Sequence, residues 1–204
     1  MVEDFQRPRA TVSGRSSGGS GANRSVKVVV TGPFAAGKTT FIETVSEVAV
    51  VSTERRVSDA TAAVKRQTTV AMDFGRLTID RDLVLSLFGT PGQKRFDFMW
   101  EILAEGMLGF IVMVDPGRAE SLEEAEEILG FFRDIARVPY VVAVNKAGDT
   151  PESAVAHVRA RLQLPTAVRV VACDARDRES AKAVLLELLH AVLADITAAE
   201  RPAV

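Results

Sequence analysis

The chain has very little of what several protein classes require. Its 204 residues include one cysteine, Cys173, so no disulfide can form within the chain. The two histidines, His157 and His190, lie far apart and outside the spacings typical of metal sites. Lysine and arginine (25) do not outnumber aspartate and glutamate (27), which argues against nucleic acid as a partner. We expect a small-molecule ligand, protein partners and a reducing, cytoplasmic location.

Long apolar segments are also missing. The apolar runs 83–88, 110–114 and 138–144 are each too short to cross a bilayer, and the N-terminus has no apolar signal core. We therefore predict no direct membrane insertion, so that any membrane association has to come through a partner. Residues 1–25 are rich in glycine, serine and arginine with almost nothing apolar, which predicts a disordered arm. A single domain is predicted over 26–197, with a short tail over 198–204.

Strand-like and helix-like segments alternate from Val26 onward. This rhythm predicts an α/β fold in three layers, with a mostly parallel six-stranded sheet and five helices. Asp80-Arg81-Asp82 separates two strand-like runs and predicts a hairpin turn, hence one antiparallel edge. Apolar residues recur at helical spacing from Ala181 to Ile196, which predicts a last helix with a core-facing stripe. The predicted strands are 26–31, 70–79, 83–88, 109–115, 140–145 and 168–172.

The most informative segment follows the first predicted strand. Gly32-Pro33-Phe34-Ala35-Ala36-Gly37-Lys38-Thr39 fits the P-loop pattern G-x-x-x-x-G-K-[ST], and Thr40 follows it. Glycines allow backbone N–H groups to converge on phosphates, Lys38 adds a positive charge, and the Thr39 hydroxyl can ligate Mg²⁺ at a helix N-terminus. The alternative is a glycine-rich turn with an exposed lysine. The strand before and the amphipathic helix after favour a nucleoside phosphate site at residues 32–40.

Three further segments occur in the order that they have in the Ras-like small GTPases, and the chain resembles that family over about residues 26–197. Residues 68–74 resemble switch I, which implies Thr69 as a Mg²⁺ ligand beside Thr39. Residues 89–96 resemble switch II, which implies that the Gly92 N–H binds the γ-phosphate and that Gln93 orients the attacking water. The resemblance implies a Ras-like P-loop NTPase fold with GTP or GDP and Mg²⁺ bound.

The base site is also implied by this resemblance. Asn145, Lys146 and Asp149 stand where the family has its guanine-reading N-K-x-D motif, but the aspartate comes one residue late. Cys173, Asp174 and Ala175 stand where the family has the S-A-K loop that supports the base. Two interpretations stay open for guanine: Gly148 bulges so that Asp149 reaches the base, or Asn145, Lys146 and the Ala175 N–H read it alone. A third leaves Asp149 as the start of a helix-capping turn.

Two other departures lie where the phosphate chemistry would occur. Gly89 occupies the position of the switch II aspartate, so we consider Asp73 or Asp115 as a substitute for that carboxylate. Phe34 stands inside the P-loop, where a side chain obstructs the approach of an arginine or glutamine to the γ-phosphate, and this predicts slow hydrolysis. Alternatively, Phe34 folds away onto apolar neighbours and only shields the phosphates.

The Pro-Gly-Gln switch II without its aspartate, together with Phe34, is most similar to the bacterial MglA-like small GTPases, especially the actinobacterial conservon type. This resemblance implies a signalling switch whose partners are Roadblock/LC7-domain proteins and a membrane-bound sensor kinase. An aromatic run of Phe96, Phe98, Met99 and Trp100 is the candidate effector surface, unless alternate members pack inward. The expected function is GTP binding and slow hydrolysis to GDP. Its alternatives are a pseudo-GTPase scaffold and a P-loop ATPase or kinase.

Overall fold

Strands and helices alternate along the chain in the computed structural model, which describes residues 24–52, 72–92 and 96–200. The strands are β1 (Arg24–Thr31), β2 (Val51–Ser52), β3 (Asp73–Asp80), β4 (Leu83–Gly89), β5 (Met107–Val114), β6 (Tyr140–Asn145) and β7 (Arg169–Cys173). The helices are α1 (Lys38–Val45), α2 (Phe98–Ala104), α3 (Ala119–Ile135), α4 (Pro151–Arg161) and α5 (Arg178–Ala199).

The strands form one sheet in the order β2-β3-β4-β1-β5-β6-β7. The strands β4, β1, β5, β6 and β7 are parallel to one another, while β3 runs antiparallel to β4 across the predicted hairpin. The predicted α/β fold, with a mostly parallel sheet, an antiparallel edge and five helices, is confirmed and is consistent with a P-loop NTPase. The two-residue β2 is an addition that the sequence did not predict. β1 begins at Arg24, inside the predicted arm, and α5 ends at Ala199, inside the predicted tail.

Each face of the sheet carries its own core. Val28 and Val30 of β1 point to one face, where α1 and α5 pack, and Val29 points to the other, where α2, α3 and α4 pack. Successive side chains of a strand point to opposite faces of the sheet. Because both faces are covered by helices here, the strands β1, β5 and β6 are continuously apolar. The result is the three-layer arrangement that the sequence predicts.

The last helix differs in part from its predicted stripe. The stripe residues Ala181, Val184, Leu185, Leu188 and Val192 are buried and Leu189 is partly buried, but Leu193 is 60% exposed and Ile196 is 45% exposed. The helix has 22 residues, and at about 1.5 Å per residue it is longer than the eight-residue strands can cover at about 3.3 Å each. Its final turns therefore lie beyond the sheet.

The segment after α1 closes one side of β3. Glu47 N–H donates to Arg76 O at 2.7 Å, Arg76 N–H donates to Ser46 Oγ at 3.1 Å, and Thr78 N–H donates to Glu47 Oε2 at 3.0 Å. These bonds stand where a neighbouring strand would pair. The hydrogen bonds from Thr78 hold the pKa of the Glu47 carboxyl below its usual value.

Every parallel strand ends at the same edge of the sheet. β1 leads into the P-loop, β4 into residues 90–92, β5 into Asp115, β6 into Lys146 and β7 into Asp174. The carboxyl edge of a parallel sheet is the usual ligand site in α/β proteins. The segments that the sequence singles out therefore meet at one edge.

Candidate nucleotide-binding site

The P-loop connects β1 to α1 through two glycines in left-handed conformations. Gly32 has φ of 136° and Gly37 has φ of 105°. A Cβ atom on Gly32 would lie 2.2 Å from the carbonyl oxygen of Met113, and one on Gly37 would lie 2.3 Å from Asn145 Nδ2. Both positions therefore require glycine on conformational and steric grounds. The motif's glycines let the loop pass close to β5 and β6.

Side chains bind the carbonyl groups of five consecutive loop residues. Four donors take part, and three of them are cations. Lys38 Nζ donates to Gly32 O at 2.8 Å and to Pro33 O at 2.7 Å, Arg118 Nη1 to Phe34 O at 3.1 Å, Lys146 Nζ to Ala35 O at 3.0 Å, and Asn145 Nδ2 to Ala36 O at 2.8 Å. The negative ends of these peptide dipoles are thereby compensated, which lowers the repulsion that an incoming polyphosphate would meet.

Asp115, at the end of β5, holds two of these donors in place. Its Oδ2 atom pairs with Lys146 Nζ at 2.8 Å, and its Oδ1 atom accepts the Gly117 N–H at 3.1 Å, in the turn that leads to Arg118. Asp115 is only 6% exposed, so its charge needs such partners. The carboxylate thus supports the P-loop from behind. Of the two proposed substitutes for the switch II aspartate, Asp115 is the one already paired with a lysine.

Asp73 lies beside the P-loop threonine. Thr39 Oγ1 donates a 2.6 Å hydrogen bond to Asp73 Oδ2. In the sheet, Asp73 on β3 pairs directly with Gly89 on β4. A Cβ atom on Gly89 would lie 3.0 Å from Asp73 Cβ and 2.9 Å from Ile42 Cδ1. The missing carboxylate of β4 is therefore matched by one on the adjacent strand, and the glycine makes room for it.

The segment after β4 approaches the P-loop at Gly92. A Cβ atom there would lie 2.7 Å from both Lys38 Nζ and the Phe34 backbone nitrogen, so this close approach requires glycine. The Phe34 side chain is 53% exposed and lines the cavity, and it does not fold away into the core as one interpretation expected. The predicted water-orienting Gln93 and the predicted metal ligand Thr69 lie outside the described residues.

Asn145 joins the phosphate side of the site to the base side. Besides donating to the P-loop, its Oδ1 atom accepts the Ala175 N–H at 3.1 Å, and the residue is 4% exposed. The Ala175 N–H, which we considered as a donor to guanine, is therefore engaged by Asn145. Cys173 below this loop is buried, and burial raises the pKa of its thiol to about 11. It is a packing residue in a thiol form that does not act as a nucleophile at neutral pH.

Two neighbouring cavities make up the site. The first, of about 600 Å³, extends from the P-loop, with Thr39 and Thr40, past Asp73 and Gly92 to Asn145 and Lys146, and its volume is in the range of ligand sites. The second, of about 500 Å³, is bordered by the segment from Lys146 to Asp149 and by Cys173. Lys146, Asp174 and Arg176 line both. The structure thus brings nearly all described site residues together. Asp149 and Cys173, however, border only the second cavity.

Sequence reasoning missed Arg118 and Arg176, and it considered Asp115 only as a substitute for the switch II aspartate. Arg118 and Asp115 brace the P-loop from the segment directly after β5, at the same edge of the sheet, and no local motif indicates these contacts. Arg176 lines both cavities and directly follows residues 173–175, the segment that was expected to support the base. The position of Asp115 at the carboxyl end of a buried strand is the one signal that points toward the site.

Comparison with known proteins agrees with this geometry. Residues 30–150 match the model of a family described as "conserved hypothetical ATP binding protein". The chain belongs to that family. The match includes the P-loop, Asp73, Gly92 and the segment from Asn145 to Asp149. Nucleotide binding through a P-loop is therefore a property of the family and of this chain, and the loop at 173–175 lies outside the matched residues.

A relative in an archaeon extends this comparison. An uncharacterized protein of Methanocaldococcus jannaschii is 36% identical over 133 residues, which are 64% of this chain and 77% of the relative. Within the described ranges, no helix combines the length and the apolar character needed to cross a membrane. The same ranges contain no cluster of three or more histidine, cysteine, aspartate or glutamate residues that could hold a metal ion by themselves.

Proposed function

We propose that the chain is a GTP-binding switch that slowly hydrolyses GTP to GDP and signals to protein partners through its switch segments. The observation that carries this proposal is the P-loop itself, whose five carbonyls from Gly32 to Ala36 are all bound by side-chain donors. A loop prepared in this way favours a polyphosphate, since its dipoles and cations are already arranged before the ligand arrives. The adjoining cavity of about 600 Å³ leaves space for a nucleoside.

The residues beside the phosphate loop fit Mg²⁺. Thr39 and Asp73 offer a hydroxyl and a carboxylate oxygen, and Mg²⁺ in nucleotide sites takes few protein ligands of this hard type. In this proposal Thr39 and Asp73 hold the ion, directly or through water, and Thr69 joins them. Bound Mg²⁺ would neutralise part of the charge on the phosphates. The chain's own contributions are the Lys38 charge and the Gly92 N–H on the γ-phosphate, with Gln93 orienting water.

Guanine is our first choice for the base. Asn145 and Lys146 stand at the end of β6 beside the P-loop, and Asn145 is fixed on both oxygen and nitrogen. This arrangement supports a base placed between Lys146 and the loop at 174–176. A second candidate is ATP, because the family to which the chain belongs is described as ATP-binding. The second candidate makes the protein a P-loop ATPase with the same phosphate site.

Slow hydrolysis follows from two residues. Gly89 brings no carboxylate of its own, and the half-exposed Phe34 lines the cavity where an activating arginine would enter. Unaided hydrolysis in such sites can be as slow as about 10⁻⁴ s⁻¹, which implies a regulator. The alternative is a pseudo-GTPase scaffold, which would bind nucleotide tightly but show no hydrolysis even when partners are added.

Partners would dock on the start of α2. Phe96 and Trp100 are buried, but Phe98 is 57% exposed and Ile102, one turn later on the same helix, is 65% exposed. The aromatic run is thus divided between core and surface, and exposed apolar pairs beside a switch suit a protein partner. Roadblock/LC7-domain proteins and a membrane sensor kinase, implied by resemblance, are the first to test.

The decisive experiment measures the affinity of the purified protein for fluorescent GTP, GDP and ATP, each with Mg²⁺ and with a chelator. We expect GTP to bind more tightly than ATP and Mg²⁺ to strengthen binding. Single-turnover hydrolysis with radiolabelled GTP then separates a slow enzyme from a scaffold. Equal or tighter binding of ATP would refute the GTP assignment and leave the ATPase.

A further inference from the structure

The loop after β7 carries a carboxylate that faces both cavities. Asp174 lines the phosphate-side cavity and the second cavity, whereas Asp149 lines the second alone. The backbone N–H of Asp174 donates to Ser180 Oγ at 2.9 Å, and its Oδ1 atom accepts the Arg176 N–H at 3.0 Å. The backbone of Asp174 is therefore fixed to the first turn of α5, and its carboxylate is fixed to the loop before that helix. This anchoring holds a carboxylate at the junction of the two cavities.

The same carboxylate accepts a two-pronged donor from its own chain. Arg176 Nε lies 3.1 Å from Asp174 Oδ1, and Arg176 Nη2 lies 3.2 Å from Asp174 Oδ2. This is the parallel geometry in which a guanidinium binds a carboxylate through two N–H groups. The pair is exposed, with 83% of the Arg176 side chain and 51% of the Asp174 side chain accessible. An exposed ion pair contributes little stability, so its two donors can be exchanged for others.

The N1–H and N2–H groups of guanine present a similar pair of parallel donors, joined through one carbon atom like the nitrogens of a guanidinium. Adenine has no such pair, because its N1 atom is an acceptor and only its 6-amino group donates. We propose that Asp174 is the carboxylate that reads this edge of guanine, and that the base displaces the Arg176 side chain from it. The proposal rests on the nucleotide site proposed above and names the residue that selects the base.

Two observations support Asp174 over the late aspartate of the N-K-x-D-like segment. Asp149 borders only the second cavity, whereas Asp174 borders both, so Asp174 is the carboxylate that also reaches the phosphate side. Arg176 also keeps the pKa of Asp174 below its usual value through its hydrogen bonds, so Asp174 remains an acceptor at physiological pH. Asp174 therefore has the position, the charge and the demonstrated pairing geometry.

The test exchanges the acceptor for an amide and changes the base to match. Xanthine carries a 2-oxo group where guanine carries the 2-amino group, so an asparagine amide can pair with its N1–H and O2. We would titrate fluorescent GTP, xanthosine triphosphate and ATP against the wild type and the variants Asp174→Asn and Asp149→Asn. Asp195→Asn, at an exposed position near the end of α5, is the control with the same change of charge. Circular dichroism and thermal melting establish that each variant is folded.

For Asp174→Asn we expect GTP affinity to fall on the order of 10²-fold and xanthosine triphosphate affinity to rise, with Asp149→Asn keeping its preference for GTP. The same exchange of preference in Asp149→Asn, or no exchange in either variant, would overturn the proposal. Arg176→Ala removes the competing donor, so we expect GTP to bind a few-fold more tightly. Weaker GTP binding by Arg176→Ala would contradict displacement. Equal binding of GTP and ATP by the wild type would instead refute guanine as the ligand, independently of which carboxylate is involved.

Discussion

The two ends of the nucleotide site are built differently. At the phosphate end, Lys38 is 8% exposed and Asn145 is 4% exposed, and glycines allow contacts that no other residue permits. At the base end, Asp174 and Arg176 form a pair between exposed side chains of neighbouring residues. The first end is fixed before any ligand binds, whereas the second can exchange its hydrogen-bond partners. The phosphate end is thus preorganised, and in the proposed mode of binding the base is selected by groups that can move.

The largest effect is expected from removing the central cation of the fixed end. Lys38→Ala should weaken triphosphate binding on the order of 10²-fold, because each hydrogen bond to a charged group contributes about 1.5–3 kcal/mol. Fluorescence titration with GTP and ATP measures this loss, which should be the same for both bases. Lys182→Ala, which breaks only an exposed pair with Glu179, serves as the control. A loss of less than about threefold would mean that the loop's backbone binds phosphate without its lysine.

The second-largest effect is expected at Asp73, and it distinguishes the contribution of Mg²⁺ to nucleotide affinity from that of the P-loop. Asp73→Asn should reduce nucleotide affinity about tenfold or more in Mg²⁺ and leave it nearly unchanged in a chelator, because the amide is a poor Mg²⁺ ligand. Asp80→Asn, at the far end of the same strand, should change neither value. Isothermal titration calorimetry with and without Mg²⁺ makes the comparison. Equal losses under both conditions would show that Asp73 only supports the Thr39 hydroxyl.

Asn145 connects the two ends through its side chain, and its removal should uncouple them. Asn145→Ala leaves Ala36 O and the Ala175 N–H without their partner in a buried region. We expect the free energy of unfolding in urea to fall by about 2–3 kcal/mol. Thr197→Ala, which removes one exposed hydrogen bond near the end of α5, should cost less than about 0.5 kcal/mol. An Asn145→Ala loss as small as that of Thr197→Ala would mean that the two ends are joined by other contacts.

The smallest effect on nucleotide binding is expected at Cys173. Burial raises the pKa of its thiol to about 11, so the native thiol should react slowly with iodoacetamide at pH 8. An unfolded chain ionises this thiol at lower pH than the folded one. Stability present below pH 9 should therefore decrease as the pH rises toward 11, and Cys173→Ala should reduce that decrease. Fast labelling at pH 8 would reveal that the base end opens down to the core.

The phosphate end could be predicted because its chemistry is local. Eight consecutive residues, the strand before them and the helix after them contain the glycines, the lysine and the threonine that the site uses. The α/β fold was also predictable, since the buried strands are continuously apolar and the helices show helical periodicity. Gly89 was recognised as a departure, but the position of Asp73 beside Gly89 and Thr39 depended on which strand pairs with β4.

The base end and the braces behind the P-loop were not predictable in the same way. Arg118 binds Phe34 across 84 positions of sequence, and Lys146 binds Ala35 across 111. Such pairs arise because parallel strands place their carboxyl ends together, and only the strand order fixes which loops become neighbours. The expected stripe on α5 ended early for a similar reason, because sequence periodicity contains no information on where the sheet stops.

The hydrogen bonds between β3 and residues Ser46 and Glu47 also bear on aggregation of the protein at high concentration. An open strand edge is a template on which other chains can add, and it is a common origin of aggregation. Along the part of β3 beyond β2, the N–H and C=O groups of Arg76 and the N–H group of Thr78 are already bound by the turn after α1. The sheet therefore offers a foreign strand only a very short length of edge on this side. Among the described residues, this side of β3 is therefore a poor template for strand pairing with another copy of the chain.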